Sequence, residues 1–122
     1  MLIYVASPYS SKETNIVNNL LERTARVNSV CKYIASKYKY GLNRDTMYFS
    51  PIVHFHNISQ HYEHSLPTDA HFWESVNKIM INLADKVEVL MLSEWKESIG
   101  IKMEIQYCKE INKPVFFVEP IS

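Results

Sequence analysis

Short apolar runs alternating with longer stretches of helical period predict an α/β fold, built as a small three-layer α/β/α sandwich around a parallel sheet. Three observations carry the prediction. Leu2 to Ala6, Val87 to Leu92 and Val115 to Val118 are too short and too continuously apolar for amphipathic helices, so they read as buried strands. Ile16 to about Lys37, Thr68 to Ala84 and Ser98 to Ile111 place apolar residues every three or four positions, the period of a helix. Strand and helix strictly alternate, and such crossovers are parallel and right-handed.

The first strand breaks at Ser7-Pro8-Tyr9-Ser10, a candidate ligand loop. Ser10-Ser11-Lys12-Glu13 matches a capping box, and Ile16, Val17, Leu20, Leu21, Val27, Val30 and Ile34 continue a long first helix that Gly41 ends. Met47 to Phe49 is a second short strand stopped by Ser50-Pro51, so the Ser-Pro turns after both strands fall on one sheet edge. Val53 to Pro67 carries His54, His56, His61 and His64 without a clear period and reads as a long loop. Imidazoles in such number invite a zinc reading, but no H-E-x-x-H helix or cysteine partner accompanies them, so the reading is no metal, with rings that line a pocket or satisfy loop backbone groups.

Thr68-Asp69 opens the next helix, with Trp73, Val76, Met80 and Leu83 as its apolar stripe. After the strand Val87 to Leu92 comes the helix of Ile101, Ile105, Cys108 and Ile111, then the turn Asn112-Lys113-Pro114 and the last strand. Residues 1–122 are thus read as one domain with a flavodoxin-like sheet of four to five strands, ordered about 2-1-3-4, and three main helices.

Composition narrows the function. Thirteen basic against 13 acidic side chains cancel, which argues against nucleic acid or an anionic membrane surface as partner. No apolar run reaches the roughly 20 residues of a membrane span, and the N-terminus enters a strand without a basic region or cleavage site, so a cytoplasmic location is expected. Cys31 and Cys108 fall on apolar helix faces and read as small buried hydrophobes. With only Gly41 and Gly100, the chain has neither G-x-G-x-x-G nor a P-loop, and no cofactor is expected.

One residue breaks the pattern. At about 100° per residue Glu104 falls between Ile111 and Cys108 on the sheet-facing arc of the last helix, not with Lys102, Gln106 and Lys109. A carboxylate near the carboxyl edge of a parallel sheet is where open α/β folds bind ligands, which makes Glu104 the candidate reactive group. The competing reading is a first-turn acid favoured by the helix dipole or one that snorkels to water. Ser98 is placed to cap the helix, and Gly100 lets a ligand approach the backbone. Asp69, in line with its helix's apolar stripe, is a second candidate acid whose alternative role is an N-cap.

Taken together, Tyr4-Val-Ala-Ser-Pro-Tyr-Ser10, Phe49-Ser-Pro-Ile52 with His54 and His56, Leu66-Pro-Thr-Asp69 with Phe72-Trp73, Ala84-Asp85, and Trp95 with Ser98-x-Gly100-x-x-x-Glu104 resemble a bacterial and phage family, DUF1937-like. That family looks like a branch of the nucleoside 2-deoxyribosyltransferase superfamily, which includes the nucleoside 5'-monophosphate N-glycosidases. The resemblance implies that Glu104 is the nucleophile and that Asp69 contacts and helps protonate the leaving base. It also implies that Ser98, where transferases carry an acid, marks a 5'-phosphorylated substrate. The phosphate would be held by Ser7, Ser10 and Ser98, with Lys12, Arg23 and Arg26 as candidate cations, while Tyr9, His54, Trp73 and Trp95 would stack on or enclose base and sugar, with plain core packing as their alternative role. The hydrolases' Gly-Ser and nearby Arg after the first strand are replaced here by Ala6-Ser7-Pro8-Tyr9-Ser10. The implied activity is hydrolysis of the N-glycosidic bond of a (deoxy)nucleoside 5'-monophosphate. Its alternatives are base exchange and nucleotide binding without turnover. Relatives assemble, so a homodimer or higher homo-oligomer is implied.

Overall fold

The computed structural model describes residues 1–10, 16–41, 45–61 and 70–121. Strands β1 (Leu2–Ala6), β2 (Met47–Phe49), β3 (Lys86–Leu90) and β4 (Val115–Val118) form one parallel sheet ordered β2-β1-β3-β4. This is the expected strand order, with four strands. The central strands β1 and β3 are buried from their second residue onward, as a sheet covered on both faces requires.

Helices α1 (Ile16–Tyr40) and α2 (Pro51–Ser59) cover one face, where Val5 and Leu90 pack with Val30, Tyr33 and Ile52. Helices α3 (Ala70–Leu83) and α4 (Ile99–Glu110) cover the other, where Tyr4, Ala6, Val87 and Val89 meet Ile81, Ile101 and Cys108. Alternation along β1 and β3 feeds both cores, so a change of register by one residue would exchange them. Each fully buried aliphatic side chain contributes about 1.5–3 kcal/mol. Among the described residues no helix is long and apolar enough to cross a membrane.

Three expectations require correction. The stretch after β2 is a helix up to Ser59, not a loop. Ser50 is its N-cap, accepting from the Val53 N–H at 3.3 Å, and Pro51 supplies the pre-set φ of a first helical turn. The buried set Ile52, His56 and Ser59 then follows helical spacing, a period hidden in sequence because two of the three are polar. Second, α3 is phased differently: Ile81 is its buried residue, Trp73 and Met80 are half-buried, and Val76 and Leu83 face outward with Phe72 and Ile79. Third, the apolar run of β3 includes a buried acid. Glu88 accepts from Tyr33 Oη at 2.6 Å and pairs with Lys86 at 3.5 Å, which compensates its burial. The helical end at Gly41 is reinforced sterically, since a Cβ there would collide with the Lys37 carbonyl that accepts its N–H. The capping box from Ser11 onward lies outside the described residues.

Candidate active site

A cavity of about 450 Å³ opens at the carboxyl edge of the sheet. Its walls come from the residues after β1 (Ser7, Tyr9, Ser10), from α2 (Ile52, Phe55, His56, Ser59), from the inner face of α3 (Trp73, Asn77, Lys78), and from the β3–α4 connection and first turns of α4 (Glu94, Ser98, Gly100, Glu104). Such an edge site follows from topology: parallel strands end together, and the chain must leave them there.

Glu104 is set into this cavity by the packing of its neighbours. Ile101 and Cys108, three before and four after, are buried against the sheet and drag the carboxyl inward with them. Its Oε2 is fully occluded and has no hydrogen-bond partner. Burial pushes the carboxyl up to about 7, against a smaller lowering by the Tyr4 hydroxyl beneath it on β1. The Tyr4 Oη is itself buried, stops short of hydrogen-bond geometry, and is held neutral by burial and by Glu104. Glu104 in turn adds to the burial that raises the Cys108 thiol to about 11, so that sulfur stays protonated.

Ser98 caps α4, its Oγ accepting from the Ile101 N–H at 3.3 Å. The cap uses an oxygen lone pair and leaves the hydroxyl hydrogen free to donate into the cavity. At Gly100 an added Cβ would lie 3.7 Å from Ala70 Cβ, 3.8 Å from Ser98 Oγ and 3.9 Å from Glu104 Oε1. A side chain therefore fits without a clash. What glycine supplies is empty space between the serine hydroxyl and the carboxylate.

The mouth is braced by Arg26 of α1, which is 6% exposed. Its guanidinium donates to Ser10 O at 3.0 Å, to Glu22 at 2.9 Å and to Glu94 at 3.4 Å, tying the β1–α1 loop to the β3–α4 connection. Glu94 sits at φ 67°, a left-handed conformation disfavoured for a residue with a side chain and held here by its surroundings. Arg23, by contrast, lies over the Tyr9 ring at 5.7 Å, and Lys78 is paired with Glu74 at 3.0 Å.

Of the residues singled out in sequence, Ser7, Tyr9, Ser10, Trp73, Ser98, Gly100 and Glu104 line this one cavity. His54 does not: it borders a separate depression with Cys31, Tyr38 and Phe49. Trp95 packs against Phe117 at 5.4 Å, away from the cavity lining. Asp69 and Lys12 lie outside the described residues; Ala70, next to Asp69 in sequence, lines the cavity. Cys31 is exposed, against its expected burial, and Cys108 is buried as expected.

Two lining or supporting residues, Tyr4 and Asn77, carry no signal that the sequence reading uses. Tyr4 was read only as strand, although a phenol inside a buried run needs a partner. Asn77, whose Oδ1 is occluded and without a hydrogen-bond partner, follows Trp73 by four on α3 and would have been found by phasing that helix on Ile81. His56 lines the cavity as one of the expected pocket rings, but from a helix and not a loop. Among the described residues no three His, Cys, Asp or Glu side chains converge as a metal site.

The model of the family described as Domain of unknown function (DUF1937) matches residues 1–120, and the chain belongs to that family. No curated protein matches the chain.

Proposed function

For this member of the DUF1937 family, we propose N-glycosidase activity on a (deoxy)nucleoside 5'-monophosphate, with Glu104 attacking C1' and a free base released. The observation that carries the reading is the Glu104 carboxyl itself, occluded and without a hydrogen-bond partner at Oε2, raised to about 7 and set in the wall of the cavity of about 450 Å³. Burying an unsatisfied carboxylate is costly, and sites that tolerate such a cost are enriched for chemistry. As the carboxylate bonds to C1', the bond to the base breaks through an oxocarbenium-like transition state. Water then resolves the glycosyl ester. The resemblance assigns protonation of the leaving base to Asp69. Support for a phosphate at the other end comes from Ser98, whose hydroxyl hydrogen is free beside the N–H groups that open α4. The homo-oligomer implied by the resemblance and a cytoplasmic location belong to the same proposal.

One observation favours base exchange on an unphosphorylated nucleoside as a second reading. Glu74, Glu94 and Glu97 line the cavity with Glu104, against Lys78 as the one lining Lys or Arg among the described residues. That is a poor setting for a dianion. Chromatography of base released from matched panels of nucleosides and their monophosphates, with and without a second free base, separates the two. The wild-type chain is expected to release base from monophosphates, and Glu104→Gln to release none while still binding them. Unchanged turnover in that variant removes Glu104 as nucleophile. Ser98→Asp is expected to reverse the preference toward nucleosides, since two charges 4 Å apart repel by about 4 kcal/mol at an effective dielectric near 20.

A further inference from the structure

The wall of the cavity built by the β1–α1 loop and α2 carries a hydrogen-bonded pair, Tyr9 and His56, of which the reading above uses only Tyr9, and only to enclose base and sugar. Tyr9 Oη and His56 Nδ1 are 2.5 Å apart, the rings meeting edge to face at 5.6 Å between centroids. Both residues line the cavity, and His56 is 6% exposed. Proton positions follow from the outer partners. Thr24 Oγ1 donates its hydrogen to Leu20 O at 2.8 Å, so toward His56 Nε2, 3.3 Å away, it accepts. Nε2 then carries the imidazole hydrogen and Nδ1 is bare. The Gln60 amide nitrogen lies 3.1 Å from Nε2 and 3.3 Å from Nδ1: as placed it donates to the bare Nδ1, and with its nitrogen and oxygen exchanged it accepts from Nε2. Tyr9 therefore donates to His56, and its oxygen is an acceptor on the other side, where the Arg23 guanidinium, 5.7 Å from the ring centroid, also approaches it as a donor.

We propose that Tyr9 and His56 act as a paired general base for the water that resolves the glycosyl–Glu104 ester. This rests on the N-glycosidase reading above. The water oxygen bonds to C1' as the C1'–Oε bond to Glu104 breaks, returning the carboxylate. The water proton passes to Tyr9 Oη while the Tyr9 proton passes to His56 Nδ1, and the imidazolium later loses its Nδ1 proton to solvent. Burial and Arg23 both lower the His56 pKa, so the pair starts neutral and ready to accept. The base must act in the second half-reaction because the resting hydrogen-bond direction makes Tyr9 an acceptor toward the cavity, whereas departure of the nucleobase calls for a donor.

The test separates the two half-reactions. In single- and multiple-turnover base release, Tyr9→Phe is expected to keep a first-turnover burst and lose steady-state turnover by roughly 100-fold or more. The glycosyl adduct on Glu104 should then accumulate in the intact-protein mass, and azide, which needs no general base, should restore turnover as the glycosyl azide. His56→Gln is expected to give the same signature. Equal loss of burst and steady state, or no loss in either, overturns the assignment. So does ¹⁵N NMR of the free protein if it finds the hydrogen on Nδ1, because Tyr9 would then donate toward the cavity. A wild-type chain that releases no base from any nucleotide sinks the N-glycosidase reading and this assignment with it, whereas normal wild-type release with unaltered variants sinks this assignment alone.

Discussion

Replacing Glu104 by glutamine preserves the shape of the side chain and removes its titration, and the consequence for stability can be worked out from burial. The carboxyl is raised from 4.5 to about 7 in the folded chain. The folded state therefore holds its proton more tightly than the unfolded state, and stability falls as pH rises through that window. Below the unfolded value the penalty is absent, and above about 7 it is complete, at roughly 3 kcal/mol. Glutamine has no such window. Thermal melts of both proteins at pH 5 and pH 8 are expected to show Glu104→Gln the more stable at pH 8, by roughly 10 °C, with most of that difference gone at pH 5. Taking the difference between the two proteins cancels every other titrating group they share. An equal gap at both pH values, or a less stable glutamine variant at pH 8, would refute the claim that the carboxylate is held against its own solvation.

Two further predictions concern its neighbours. Gly100→Ala is expected to raise stability by about 0.5 kcal/mol, because the added methyl fits and alanine favours the helix, while weakening nucleotide binding by occupying the space between Ser98 Oγ and Glu104 Oε1. Melting temperature and calorimetric affinity, measured together, check it, and tighter binding would contradict it. Tyr4→Phe is expected to leave stability nearly unchanged, since the deleted hydroxyl is buried without a hydrogen-bond partner, and to move the Glu104 carboxyl higher still. Carboxyl ¹³C titration reads that shift, and a lower midpoint would show that Tyr4 does not favour the ionised form.

The sheet was legible because its strands are continuous apolar runs separated by helices long enough to display a period. Glu104 was legible for the same reason, as an acid standing on an otherwise apolar arc. What sequence hid was polar burial. His56 and Ser59 face the interior of α2, so the helix lacked an apolar stripe and resembled a loop. In α3 apolar residues occupy both faces, and Val76 and Leu83 outweighed Ile81 until packing against β1 and α4 settled which side was inside. The Tyr9–His56 contact joins residues 47 positions apart and was beyond any local pattern.

Arg26 carries a consequence for how the cavity meets a ligand. One buried guanidinium contacts both Ser10 O and Glu94, so the two sides of the mouth meet at a single side chain, whose charge Glu22 also balances at 2.9 Å. A ligand that drew Ser10 or Glu94 away from this guanidinium would have to offer it an acceptor in exchange, which favours molecules that carry one at that end.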